Sequence, residues 1–269
     1  MTTGEGPTLG SPAPRRPTPD IGAPYLATTR WTFVDVLLAL LAGIAGAFIV
    51  AVALGPISAA EVGVRELAAT LGAQAVATIS VVAGLGANRG SGVWWRDVGL
   101  RIRPVYLWGL AGGVLLQFVV ALLVAPLLRL IDPDPPRQAI VDAAERTIGT
   151  GSRLLLIGLV VVVAPLIEEI VFRGMLLSRL RRAMGPFPAI AVSAAAFAAI
   201  HPLLDPDALF AAPGLFLIGL ALGWAALRTG DIGLAITLHA GVNLTGVLLI
   251  IFAEDLLDAV EGVLGLLTG

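Results

Sequence analysis

The chain has 269 residues, 57% hydrophobic and 13% charged, with a mean hydropathy of +0.93 and a formal net charge of −2. Such a chain has no basic surface with which to neutralise phosphates, which excludes nucleic acid as a partner. The absence of cysteine excludes disulfides, thiolate nucleophiles and cysteine metal sites. Repeated apolar stretches of about 20 residues, each long enough to cross a bilayer, point to one class, an all-α polytopic transmembrane helical bundle. All 17 basic residues are arginine. With the alanine and glycine richness, this usage points to a GC-rich genome, and the expected location is a bacterial plasma membrane.

Residues 1–30 hold six prolines among Thr, Gly and Ser, a composition that buries too little surface to order itself. A disordered cytoplasmic tail is expected there. A signal peptide is not, because the first apolar run starts only at Phe33 and is longer than a signal-peptide core. Residues 31–269 then form one integral membrane domain. Its spans are predicted at Phe33–Leu54, Leu67–Ala87, Tyr106–Leu130, Leu154–Leu177, Phe187–Leu204, Ala208–Leu227 and Ile232–Ala253. Asp255–Leu267 is apolar on one side but too short to span, so it lies at the interface or forms an eighth partial helix.

Arginines gather in the tail (Arg15, Arg16, Arg30), between the second and third spans (Arg89, Arg96, Arg101, Arg103) and between the fourth and fifth (Arg179, Arg181, Arg182). By the positive-inside rule these connections and the N-terminus are cytoplasmic. The intervening connections are mixed or acidic, with Asp132, Asp134, Asp205 and Asp207. Small residues recur at helix-packing spacing in Gly109/Gly113, Gly219/Gly223 and the Ala-rich run 191–198. They let helix backbones approach closely in lipid.

Three apolar runs carry ionisable or strongly polar groups, which are costly in a membrane and usually functional. Glu168, Glu169 and Arg173 share the fourth span. Uncompensated at mid-membrane they would cost on the order of 8–10 kcal/mol. Glu169 and Arg173 are four apart, hence on one helix face and able to pair. Glu168 lies about 100° around the helix and points elsewhere, which makes it the candidate general base. The fifth span places Phe197 and His201 four apart, and the seventh places His239 and Asn243 four apart. At about 1.5 Å per residue from the predicted cytoplasmic ends, Glu168 is about 15 Å deep, His201 about 20 Å, and His239 and Asn243 about 12–18 Å. All four can meet at one level, between the fourth, fifth and seventh spans.

These residues resemble a known set. Glu168-Glu169-Ile170-Val171-Phe172-Arg173 matches EExxxR, Phe197-Ala198-Ala199-Ile200-His201 matches FxxxH, and His239-Ala240-Gly241-Val242-Asn243 matches HxxxN. Their order is that of the CPBP family of intramembrane proteases, which groups CAAX prenyl endopeptidases with bacterial Abi and bacteriocin-processing relatives. The resemblance covers residues 150–250, with a softer echo in the run from Trp94 to Arg101. It implies peptide-bond hydrolysis within the membrane. Glu168 and His201 would activate a water, His239 and Asn243 would stabilise the oxyanion, and Glu169 and Arg173 would orient the apparatus.

The family has also been described as metal-dependent, and two histidines with a glutamate can hold zinc. The asparagine in the set and the lack of an HExxH pair favour a glutamate-activated water with no obligatory cofactor. The expected partners are the lipid bilayer and a membrane-associated peptide or protein substrate, either a prenylated protein or a bacteriocin leader. The competing reading is a non-enzymatic membrane protein, either a proton-coupled transporter whose buried acids carry protons or an immunity-type binding protein.

Overall fold

The computed structural model describes residues 30–55, 63–131 and 149–252. The Pro-rich tail, the loop with Asp132 and Asp134 and the segment Asp255–Leu267 lie outside the described residues. Helix α1 spans Phe33–Leu54, α2 Val64–Arg89, the short α3 Trp94–Asp97, and α4 Trp108–Ile131, the last entered through a 3₁₀ turn at Pro104–Leu107. A composite helix, α5, covers Thr150–Met184, followed by α6 at Pro186–Leu204. A 3₁₀ turn at Pro206–Ala211 leads into α7, Ala212–Thr229, and α8 closes the described chain at Gly233–Ile251. Seven of these helices are long and apolar enough to cross a membrane.

The predicted spans and the observed helices agree closely, and α1 coincides with its prediction. Thr32 caps it: the Asp35 N–H donates to the Thr32 hydroxyl at 3.2 Å, and the Thr32 N–H returns a bond to the Asp35 carboxylate at 2.8 Å. The main difference is α5, which is 35 residues long and extends beyond the predicted Leu154–Leu177 at both ends. Its last segment, Ser178–Met184, carries Arg179, Arg181 and Arg182. Hydropathy therefore ends before the helix does. Gly185, at φ 82°, then lets the chain reverse directly into α6.

One end of the bundle is tied together by polar contacts. Arg89 at the end of α2 pairs with the buried Asp35 at the start of α1. Arg182 donates to the Trp31 carbonyl at 3.3 Å, and the Trp31 indole N–H donates to the Asp97 carbonyl at 3.1 Å. Tyr106 donates its hydroxyl to Asp231 at 2.8 Å, and Arg103 sits 3.4 Å from the same carboxylate. These contacts gather the arginine-rich connections on one face.

Within the bilayer, small residues set the spacing as expected from the sequence. Gly113 of α4 abuts the Leu238 carbonyl and Gly241 of α8, so closely that a Cβ at Gly113 would overlap both. A Cβ on Gly219 of α7 would sit 3.0 Å from Ala194 of α6. Helix α5 contacts α1, α2, α6, α7 and α8, and nearly all of its segment Ile170–Leu177 is buried. The outward faces of α1 and α4 expose Phe48, Ile49, Leu122 and Leu130. In lipid this is the expected polarity, because hydrocarbon offers apolar side chains no penalty.

Candidate active site

Helix α5 is not uniform. Its turns widen to π geometry at Leu159–Val163 and again at Ile170–Leu177, on either side of the segment Ala164–Glu169. Pro165 accounts for the first irregularity. It has no N–H to donate to a carbonyl one turn back, and the Ala164 N–H reaches five residues back to Leu159. Neither neighbour is then available to the Val160 carbonyl. The Asn243 side chain satisfies it from α8, with Nδ2 donating at 2.8 Å.

One turn beyond the proline, Glu169 and Arg173 form the pair expected from their spacing. Arg173 Nη1 lies 2.9 Å from Glu169 Oε1, and both side chains are fully buried. Arg173 also donates to the Gly219 carbonyl of α7 at 3.2 Å, and its guanidinium lies 4.6 Å from the centroid of the Phe197 ring. The same ring meets His201 edge-on at 4.9 Å and His239 at 5.5 Å. Phe197 is thus the packing centre of the cluster.

His239 is placed between the two glutamates. Its Nδ1 is 3.0 Å from Glu169 Oε1, and its Nε2 is 3.6 Å from Glu168 Oε2. An ionised carboxylate only accepts, so Nδ1 carries the proton toward Glu169. Glu168 makes no ion pair with Arg173 and lines a cavity, with one carboxylate oxygen toward His239. Sequence spacing puts Glu168 at one level with His201, His239 and Asn243, and His239 is the one set beside its carboxylate. The 3.6 Å separation is too long for a hydrogen bond.

His201 takes a different tautomeric cue. Its Nδ1 lies 2.8 Å from the Phe197 carbonyl, an acceptor only, so Nδ1 carries the proton and a neutral ring keeps its lone pair on Nε2. His201 and Glu168 both line an intramembrane cavity of about 230 Å³ bounded by α1, α2, α5 and α6. Glu168 has 29% of its side chain exposed there, whereas His239, Glu169 and Arg173 are buried behind it. The site therefore has two layers. A carboxylate and an imidazole meet the cavity, and a Glu169–Arg173–His239 unit backs them.

Of the six residues singled out from the sequence, five gather around Phe197. Asn243 sits one turn along α8 from His239 and is engaged with α5. The contributions of the Val160 and Gly219 carbonyls come from the backbone and have no signature in side-chain pattern. Pro165, in the middle of an apolar run, was the one legible sign that α5 is irregular. For a metal, the donors do not converge: no group of three His, Asp or Glu side chains among the described residues is spaced to hold an ion. His239 turns one nitrogen to each glutamate, and His201 commits Nδ1 to a carbonyl.

No curated protein and no solved structure matches the chain. A family model described as Type II CAAX prenyl endopeptidase Rce1-like matches residues 150–245. That stretch contains Glu168, Glu169, Arg173, His201, His239 and Asn243. Over residues 150–245, this chain is therefore similar to the type II CAAX prenyl endopeptidase Rce1-like family, a family of membrane proteases.

Proposed function

We propose that the protein is an intramembrane endopeptidase that cleaves membrane-associated peptides or proteins with a water activated by Glu168 and His201. The observation that carries this reading is that these two side chains, and no others of the cluster, share the wall of one cavity. A water between them would lose a proton to the Glu168 carboxylate as its oxygen attacks the scissile carbonyl carbon. Collapse of the tetrahedral intermediate breaks the C–N bond, and the same proton passes to the departing amine, directly or through His201 Nε2. His239, held through Nδ1 by Glu169, keeps Nε2 beside Glu168. With both ring nitrogens protonated, His239 donates from Nε2 toward the oxyanion, and the Asn243 N–H that Val160 does not use is the second proposed donor.

Arg173 fixes Glu169 and so fixes the ring of His239. The reaction so written needs no metal. The proposed site of action is a bacterial plasma membrane, with the arginine-rich connections and the N-terminus on its cytoplasmic side. The test is turnover of a quenched-peptide library by detergent-purified protein. Glu168→Gln keeps size and removes the base, so turnover falls by at least about 10² while the melting temperature is retained. Near-wild-type turnover in that variant sinks the assignment.

A further inference from the structure

The cavity beside Glu168 and His201 holds about 230 Å³, several times the roughly 30 Å³ that one water takes up. It is sized for part of a substrate and not for a single solvent molecule. Its walls are otherwise apolar except for Gln74 and Thr78, both from α2. Thr78 is accounted for, since its hydroxyl donates to the Ala39 carbonyl of α1 at 3.4 Å. The Gln74 carboxamide makes no hydrogen bond among the described residues. Leaving an amide unsatisfied in the hydrocarbon core of a membrane is costly, so its presence calls for an occupant that satisfies it.

Depth places this amide level with the catalytic pair. At 1.5 Å per residue, Gln74 is about 22 Å from Arg89, Glu168 about 24 Å from Met184, and His201 about 22 Å from Pro186. Those three helix ends lie on one face of the bundle, because Arg89 pairs with Asp35 and Arg182 bonds the nearby Trp31 carbonyl. Gly43 of α1 keeps the wall recessed here: a Cβ on it would come 2.8 Å from Thr78 Oγ1 and 3.8 Å from Gln74 Cγ. A carboxamide offers one acceptor and a two-proton donor, the complement of a peptide unit's N–H and C=O. A purely hydrocarbon occupant offers it neither.

We propose that Gln74 is a substrate-positioning residue whose carboxamide hydrogen-bonds a main-chain peptide unit of the substrate lying in the cavity beside Glu168 and His201. This rests on the protease reading, and it adds that the chain of the substrate passes between α2 and α5 at the depth of Glu168.

The probe is a fluorescent tetrapeptide with an S-farnesyl cysteine, added to the full-length protein in detergent. Binding by anisotropy is compared between Glu168→Gln and Glu168→Gln/Gln74→Met, methionine being unbranched like glutamine and apolar. The double variant is expected to bind about tenfold more weakly, the effect of leaving one peptide unit unpaired, with an unchanged or higher melting temperature. Esters replacing each peptide unit of the probe in turn add a readout that packing cannot mimic. One ester should cost Glu168→Gln about tenfold and cost the double variant nothing.

With Glu168 intact, Gln74→Met should raise KM about tenfold and leave kcat within a factor of about two to three. Equal binding by both proteins, an ester profile independent of Gln74, or no binding of the probe to Glu168→Gln each overturns the proposal, the first two meaning that water or lipid alone meets the amide. Cleavage retained by Glu168→Gln refutes the base assignment instead and leaves the KM comparison at Gln74 intact.

Discussion

Under the proposed mechanism Asn243 has two tasks that one side chain can share. One N–H satisfies the Val160 carbonyl at 2.8 Å; the other is the proposed donor to the oxyanion. Asn243→Ala removes both, so turnover should fall by about 10²–10³ as for a lost oxyanion donor. Stability should also fall, by about 1–3 kcal/mol for the stranded carbonyl. Calorimetry beside kinetics separates the two, and an unchanged melting temperature would show that Val160 does not depend on the amide. Arg173→Ala leaves the buried Glu169 with the His239 N–H but no guanidinium, a cost of about 3–5 kcal/mol for a buried pair broken from one side, read as a large drop in melting temperature or a loss of folded protein. As for metal, the donors around Glu168 do not converge on one point. Chelator-treated protein is expected to keep its turnover; activity lost with stoichiometric zinc and restored by its return contradicts that.

At the scale of the helix, α5 matters through its irregular turns. A π turn takes up one extra residue, and one residue is about 100° of helix rotation. The wide turn before Ala164 therefore sets which way Glu168 and Glu169 face relative to His239. Pro165→Ala supplies the missing N–H and removes the reason for that turn. Relaxation toward regular α geometry should cost at least tenfold in turnover without lowering the melting temperature, since proline is the least favourable residue in a helix interior. A variant as active as wild type would mean that tertiary contacts, not the proline, impose the register. Between helices, the close approach of Gly113 to Gly241 leaves no room for a side chain. Gly113→Leu should separate α4 from α8 and destabilise the fold.

For the whole molecule, the decisive arrangement is the gathering of arginine-rich connections on one face, tied by Arg89–Asp35, Arg103–Asp231 and Arg182–Trp31. If that face is cytoplasmic, cysteines introduced one at a time into this cysteine-free chain report it directly. A cysteine at Arg181 should be shielded from an impermeant thiol reagent in intact cells, and one at Asp207, in the connection between α6 and α7, should be labelled. The reverse pattern inverts the topology.

Hydropathy by itself determined the class of the protein and the places of its seven spans, because lipid forces each crossing segment to be apolar and helical along its whole length. Helical spacing likewise made the Glu169–Arg173 pair and the Gly113 and Gly219 contacts legible, since residues three or four apart share a face wherever the helix goes. On α5 that spacing gave the Glu169–Arg173 pair but not what Glu168 meets, because a proline and two wide turns break the 3.6-residue count along the helix. What met Glu168 was decided only by tertiary structure, because His239 arrives from another helix with an orientation fixed by Glu169. The division between the pair that faces the cavity and the unit behind it was decided in the same way. So was the place of Gln74, an unremarkable polar residue in the sequence until the packing of α1, α2, α5 and α6 set it in the cavity wall with Glu168 and His201.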